Sequence, residues 1–168
     1  MINKNLAIEK QNIINLFNQK KFNKISKISP KILSSFEDQP DIVKIIIFSN
    51  LNTKNFIKAE KLLRKVLIRN NTAEYNYILG NTLKIQDKND DAIIAYKKSI
   101  LLNNNFSEAY NNLANVQKKI GNFDDALLNY NNAIRTKEDN FEAYYNLANL
   151  FKTLKNYNEA SKNYKKVV

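Results

Sequence analysis

The chain has 168 residues, 43% of them hydrophobic, with only 2 Gly and 2 Pro and a formal charge of +11; that length can hold a real core, and so few turn formers favour long helices with short connections. Cys and His are both absent, which excludes disulfides, thiol chemistry, a Cys or His nucleophile with its base, and the usual ligands of zinc. The charge is uneven, with 14 Lys and Arg against 5 Asp and Glu over residues 1–72 but 13 against 11 over residues 73–168.

The first 17 residues, MINKNLAIEKQNIINLF, mix polar and apolar positions without a continuous apolar run, so neither a secretory signal nor a membrane span is expected and the cytoplasm is the default location. Ile13, Ile14, Leu16 and Phe17 fall close to one helical stripe, and a second apolar series runs through Ile25, Ile28, Ile32, Leu33 and Phe36. Pro30 interrupts that series, and Ser29 before it is suited to cap a helix, so a kink or a restart is expected there. Pro40 opens a third helix whose apolar residues are nearly continuous from Ile42 to Phe48, and that helix should be buried on most sides. Phe56, Ala59, Leu62, Leu63, Val66 and Leu67 then mark one face of a helix.

From Ala73 onward a helical hairpin recurs at a spacing of 34, with Ala92, Ala126 and Ala160 in register, as are Tyr96, Tyr130 and Tyr164, and Leu79, Leu113 and Leu147. The clearest copy spans residues 105–140. Gly80, Ala114 and Ala148 on the first helices, with the three alanines on the second, should let the helix axes approach closely while the tyrosines fill the space beside them. Gly121 suits a helix end. The acidic pairs Asp90 with Asp91 and Asp124 with Asp125 stand beside second-helix N-termini, where helix dipoles favour anions, and read as structural rather than catalytic. Nor does the chain contain a Gly-rich phosphate loop.

These positions resemble the tetratricopeptide repeat, a helix-turn-helix unit of 34 residues found in many bacterial proteins; the carriers are the pairs Leu79-Gly80, Leu113-Ala114 and Leu147-Ala148, the alanines at 92, 126 and 160, and the aromatics at 96, 130 and 164. The resemblance implies an all-α, right-handed α-solenoid of about five antiparallel hairpins, the first degenerate and the last truncated. It divides the chain into a degenerate hairpin at 1–39 and a continuous array at 40–168, with units 40–72, 73–106, 107–140 and 141–168. Departures are Asn104 and Glu138 where a repeat usually ends in proline, which should lengthen the second helices or loosen their ends, and Asn76 where an aromatic is usual. A third departure is an end at Val167 and Val168 without a polar closing helix, which suggests a fragment, or a surface for self-association.

In this family ligands usually lie in the groove lined by first helices. Register places Glu74, Glu108 and Glu142 near the helix starts there, then Tyr77, Asn111 and Tyr145, then Asn81, Asn115 and Asn149, with Asn112 and Asn146 beside them and Lys84, Lys118 and Lys152 further along. A row of asparagines can hold the backbone of an extended peptide without reading much of its sequence, and the row resembles the one in the repeats of O-linked N-acetylglucosamine transferases. Asparagine is abundant throughout the chain, so composition explains the row as well as binding does. The carboxylate clamp of chaperone-binding members needs basic residues at Glu142 and Asn146, and lacks them. The expected function is a non-enzymatic scaffold without cofactor or metal that binds a protein or peptide, and alanine at Asn81, Asn115 and Asn149 should abolish capture while leaving melting unchanged. The alternative is the substrate-recruiting arm of a larger glycosyltransferase, sulfotransferase or oxygenase. Nucleic-acid binding through the basic first half ranks below both, because lysine is abundant everywhere.

Overall fold

A computed structural model describes residues 2–36 and 38–167, and every regular element among them is helical. Val168, half of the C-terminal pair read as an incomplete end, lies outside the described residues. The chain divides into two units, Met1–Asn70 and Asn71–Val168.

The first unit contains α1 (Ile2–Asn18), α2 (Phe22–Ser26), α3 (Pro30–Ser34), α4 (Pro40–Asn52) and α5 (Phe56–Arg69). The chain restarts rather than kinks at the proline: Pro30 takes the first turn of α3, and the Ser29 side chain accepts from the Ile32 N–H at 3.4 Å. The break before it is bridged from another helix, because the Lys58 ammonium on α5 donates to the carbonyls of Ser26 and Ile28 just where α2 stops. Along α4, Ile42, Val43, Ile46 and Ile47 are buried as their apolar run predicts, but Phe48 is 47% exposed. Its ring lies 5.7 Å from Phe17 and 5.8 Å from Phe22, both edge-on.

The second unit stacks three hairpins: α6 (Ala73–Ile85) with α7 (Asn89–Leu102), α8 (Ser107–Lys119) with α9 (Phe123–Thr136), and α10 (Phe141–Thr153) with α11 (Tyr157–Tyr164). Each second helix also packs on the next first helix, α7 on α8 and α9 on α10, and α8 touches both α6 and α10. The small residues sit where the axes come closest: Ala92, Ala114, Ala126 and Ala148 are fully buried, and a methyl group at Gly80 would lie 2.6 Å from the Tyr96 ring. The second helices α5, α7 and α9, none of which ends in proline, are each 14 residues long. After α7 an asparagine closes the turn instead, the Asn103 side chain accepting from the Asn105 N–H at 3.0 Å.

A backbone feature marks the hairpin turns throughout. Lys20, Lys54, Asp87, Gly121 and Lys155 have φ of 55°, 58°, 63°, 86° and 60°. Following each, the N–H of Lys21, Asn55, Lys88, Asn122 or Asn156 reaches back to the carbonyl of Leu16, Asn50, Leu83, Gln117 or Phe151 at 2.8 to 3.0 Å. This ring satisfies the last carbonyls of each first helix and reverses the chain. It recurs at Lys20, so the hairpin turn persists where side-chain matching is poor.

Candidate functional site

The first-helix face of the second unit is held by tyrosines from the second helices. The hydroxyl of Tyr96 donates to Asn81 Oδ1 at 2.7 Å, that of Tyr130 to Asn115 Oδ1 at 2.6 Å, and that of Tyr164 to Asn149 Oδ1 at 2.9 Å. Tyr96 and Tyr130 are fully buried, and burial pushes both phenols well above their ordinary value, with smaller contributions from Tyr77 and Glu142 respectively. A neutral hydroxyl buried this way needs an acceptor. The three asparagines supply it, and the Nδ2 groups of these partly buried residues donate to no described residue.

Two further networks set the direction of the remaining amides. Lys84, a donor only, reaches Asn112 Oδ1 at 3.4 Å, so Asn112 turns its Nδ2 to Asn81 Oδ1 at 2.9 Å and to the Tyr77 hydroxyl at 3.1 Å. This joins Tyr77, Asn81, Lys84 and Asn112 across α6 and α8, with the Tyr77 ring 4.8 Å from that of Phe106. In the next interval Glu142, an acceptor when ionised, takes the Nδ2 of Asn111 at 3.0 Å, and Asn111 Oδ1 takes the Nδ2 of Asn146 at 3.1 Å. Asn111 is only 3% exposed. It has both ends of its amide engaged and positions its neighbours.

Tyr145 stands 51% exposed with its ring 5.9 Å from Tyr164. The ammonium groups of Lys118 and Lys152 make neither a hydrogen bond nor an ion pair with a described residue, and Lys84 is half-buried without an ion pair among them. Burial lowers the Lys84 pKa below the ordinary lysine value, partly opposed by Glu142.

These bonds revise the expectation for alanine at Asn81, Asn115 and Asn149: each replacement removes the acceptor of a second-helix hydroxyl, so melting should fall rather than stay unchanged. The tyrosines were legible as packing residues. Their hydroxyl chemistry was not, although each follows its asparagine by the same 15 residues.

Among the described residues no helix is long and apolar enough to cross a membrane. Family models described as tetratricopeptide repeat match residues 73–106 and 95–127, and one described as TPR repeat matches residues 118–155. No curated protein matches the chain. Solved structures do: a crystal structure of MamA at 23% identity, covering 91% of this chain and 90% of that one with a TM-score of 0.83. MamA from Desulfovibrio magneticus RS-1 is similar at 12% identity over 96% of this chain and 92% of that one, with a TM-score of 0.86. YrrB, described as a TPR protein with an unusual peptide-binding site, is similar at 16% identity over 94% of this chain and 82% of that one, with a TM-score of 0.76. Recurring hairpins, left-handed turns and overlapping repeat matches agree: residues 73–155 are tetratricopeptide repeats, within an all-α fold of stacked antiparallel helix pairs.

Proposed function

We propose that the chain is a non-enzymatic interaction scaffold and that the first-helix face of residues 71–168 holds an extended peptide of a partner protein. The observation that carries this reading is the row of Asn81, Asn115 and Asn149, each only partly buried and each keeping an amide N–H for a ligand while its oxygen is engaged within the hairpin. Main-chain carbonyls of an extended segment are the acceptors such a row suits. Tyr77, Asn112, Tyr145, Asn146 and the lysines at 84, 118 and 152 border the row, and Asn111 supports it from below. The description of YrrB as having a peptide-binding site accords with this use of the fold.

A photo-crosslinking side chain tests the face directly. Placed at Lys118 on α8 it should couple to a protein partner in native lysate, whereas placed at Leu128, which is 59% exposed on α9, it should not. Coupling from Leu128 and none from Lys118 would reject the assignment.

A further inference from the structure

Building on that reading of the groove, we infer that it selects acidic extended segments, because its first-helix face presents hydrogen-bond donors in excess. Three consecutive hairpins have the same polarity. Each tyrosine hydroxyl engages its asparagine's oxygen, so Asn81, Asn115 and Asn149 offer only N–H groups outward. Asn112 gives its Nδ2 to Asn81 and Tyr77 and its oxygen to Lys84, whereas Asn146, one repeat on, gives its Nδ2 to Asn111 and keeps its oxygen as an acceptor beside the lysines and asparagines of the row. One helical turn beyond each asparagine stands a lysine, Lys84, Lys118 or Lys152, and none has an anionic partner within ion-pair distance among the described residues. A face of amide N–H and ammonium groups asks for carbonyl and carboxylate oxygens.

The acidic residues of the same face stand apart. Glu74, Glu108 and Glu142 occupy the first turns of α6, α8 and α10, whereas Lys84, Lys118 and Lys152 occupy their last turns. Ten residues of helix separate the two rows by about 15 Å. Within each helix the anionic and cationic ends are therefore apart, while across the stack the charge of Glu142 is felt at Lys84, so an acidic strand is drawn to the lysine ends at Lys118 and Lys152. The glutamate row also opposes a continuous polyanion, favouring a peptide over a nucleic acid. Desolvation at Lys84 adds to the argument: this half-buried cation donates to a neutral amide and is only partly compensated by Glu142, so an arriving carboxylate relieves it further.

The geometry also supplies a variant that separates binding from folding. Aspartate at Asn81, Asn115 and Asn149 keeps an oxygen for each tyrosine and replaces the outward N–H with a carboxylate oxygen. A companion variant carries Lys84→Gln, Lys118→Gln and Lys152→Gln. A displayed random-peptide library is selected on the full chain, and the selected clones are sequenced and titrated against the wild type and both variants. The expected pool is enriched in Asp and Glu, and its best clones bind each variant about tenfold or more weakly. Clones that lose binding to the aspartate variant but show no acidic bias, or bind the glutamine variant unchanged, overturn the acidic preference and leave the groove reading intact. Clones indifferent to both variants, or a selection that yields none, overturn the groove reading and this inference with it. A single-stranded oligonucleotide bound more tightly than the best clone would also overturn it.

Discussion

Replacing Asn115 with alanine tests whether the asparagine row is structural at its inner end. The Tyr130 hydroxyl lies in a fully buried residue and donates to Asn115 Oδ1 at 2.6 Å. Removing the acceptor strands a buried polar group, at a cost of about 1–3 kcal/mol. Removing the hydroxyl instead, in Tyr130→Phe, forfeits the net hydrogen bond of about 0.5–1.5 kcal/mol, because the only partly buried Asn115 can turn to water. In the Tyr130→Phe background nothing remains to be stranded, so Asn115→Ala should there cost less than about 0.5 kcal/mol. Asn115→Asp retains an oxygen and should cost less than Asn115→Ala. Urea unfolding followed by far-ultraviolet circular dichroism measures all four variants, read as midpoint shifts at constant m. An equal cost of Asn115→Ala in both backgrounds would refute the reasoning.

Three other outcomes follow from the packing and the turns. Gly80→Ala gains about 0.5–1 kcal/mol of helix propensity, but its methyl would lie 2.6 Å from a buried Tyr96 ring and overpacking costs about 1–3 kcal/mol; a net loss in urea is expected, and a stabilised variant would refute the close approach. Lys155, at φ 60°, should tolerate Lys155→Gly with a gain of up to about 1 kcal/mol, whereas Gly121→Ala should lose about 1 kcal/mol, both measured by urea midpoint. Tyr96 and Tyr130 have phenols raised above the ordinary 10.0. Above about pH 10 the unfolded chain therefore releases protons that the fold retains. Their contribution is complete below that pH and declines as pH rises, so the urea midpoint should drop between about pH 9 and about pH 11, less steeply in Tyr96→Phe with Tyr130→Phe.

Much of the second unit was legible because its constraints lie in side-chain type. Alanine at 92, 126 and 160 and tyrosine at 96 and 130 recur where volume must be small or large, and a fixed spacing exposes them. The left-handed backbone of the turns was legible only at Gly121, since Lys20, Lys54, Asp87 and Lys155 adopt it without the residue type that advertises it. The division of α2 from α3 was half-visible: Ser29 and Pro30 announce a helix start, but the carbonyls left at the stop are met by Lys58, which is distant in sequence. At the candidate site, register put Tyr77, Asn81, Lys84 and Asn112 on one face, and hydrogen bonds join them there. It could not reveal that Asn111 is buried or which way each amide points, because those depend on partners in neighbouring helices.

Two serines carry a consequence for how such an array can be rearranged. Ser99 Oγ on α7 donates to the Ala73 carbonyl on α6 at 2.8 Å, while in the next hairpin Ser107 Oγ on α8 donates to the Ala133 carbonyl on α9 at 2.7 Å. The same stitch is sewn from opposite sides. An α6 joined to α9 would bring together Ala73 and Ala133 and have no hydroxyl to offer, whereas an α8 joined to α7 would crowd Ser107 against Ser99. The first mispairing thus loses a bond that both correct pairings make and the second must fit two hydroxyls where each correct pairing has one, so α6 with α7 and α8 with α9 are better moved as whole hairpins than as single helices.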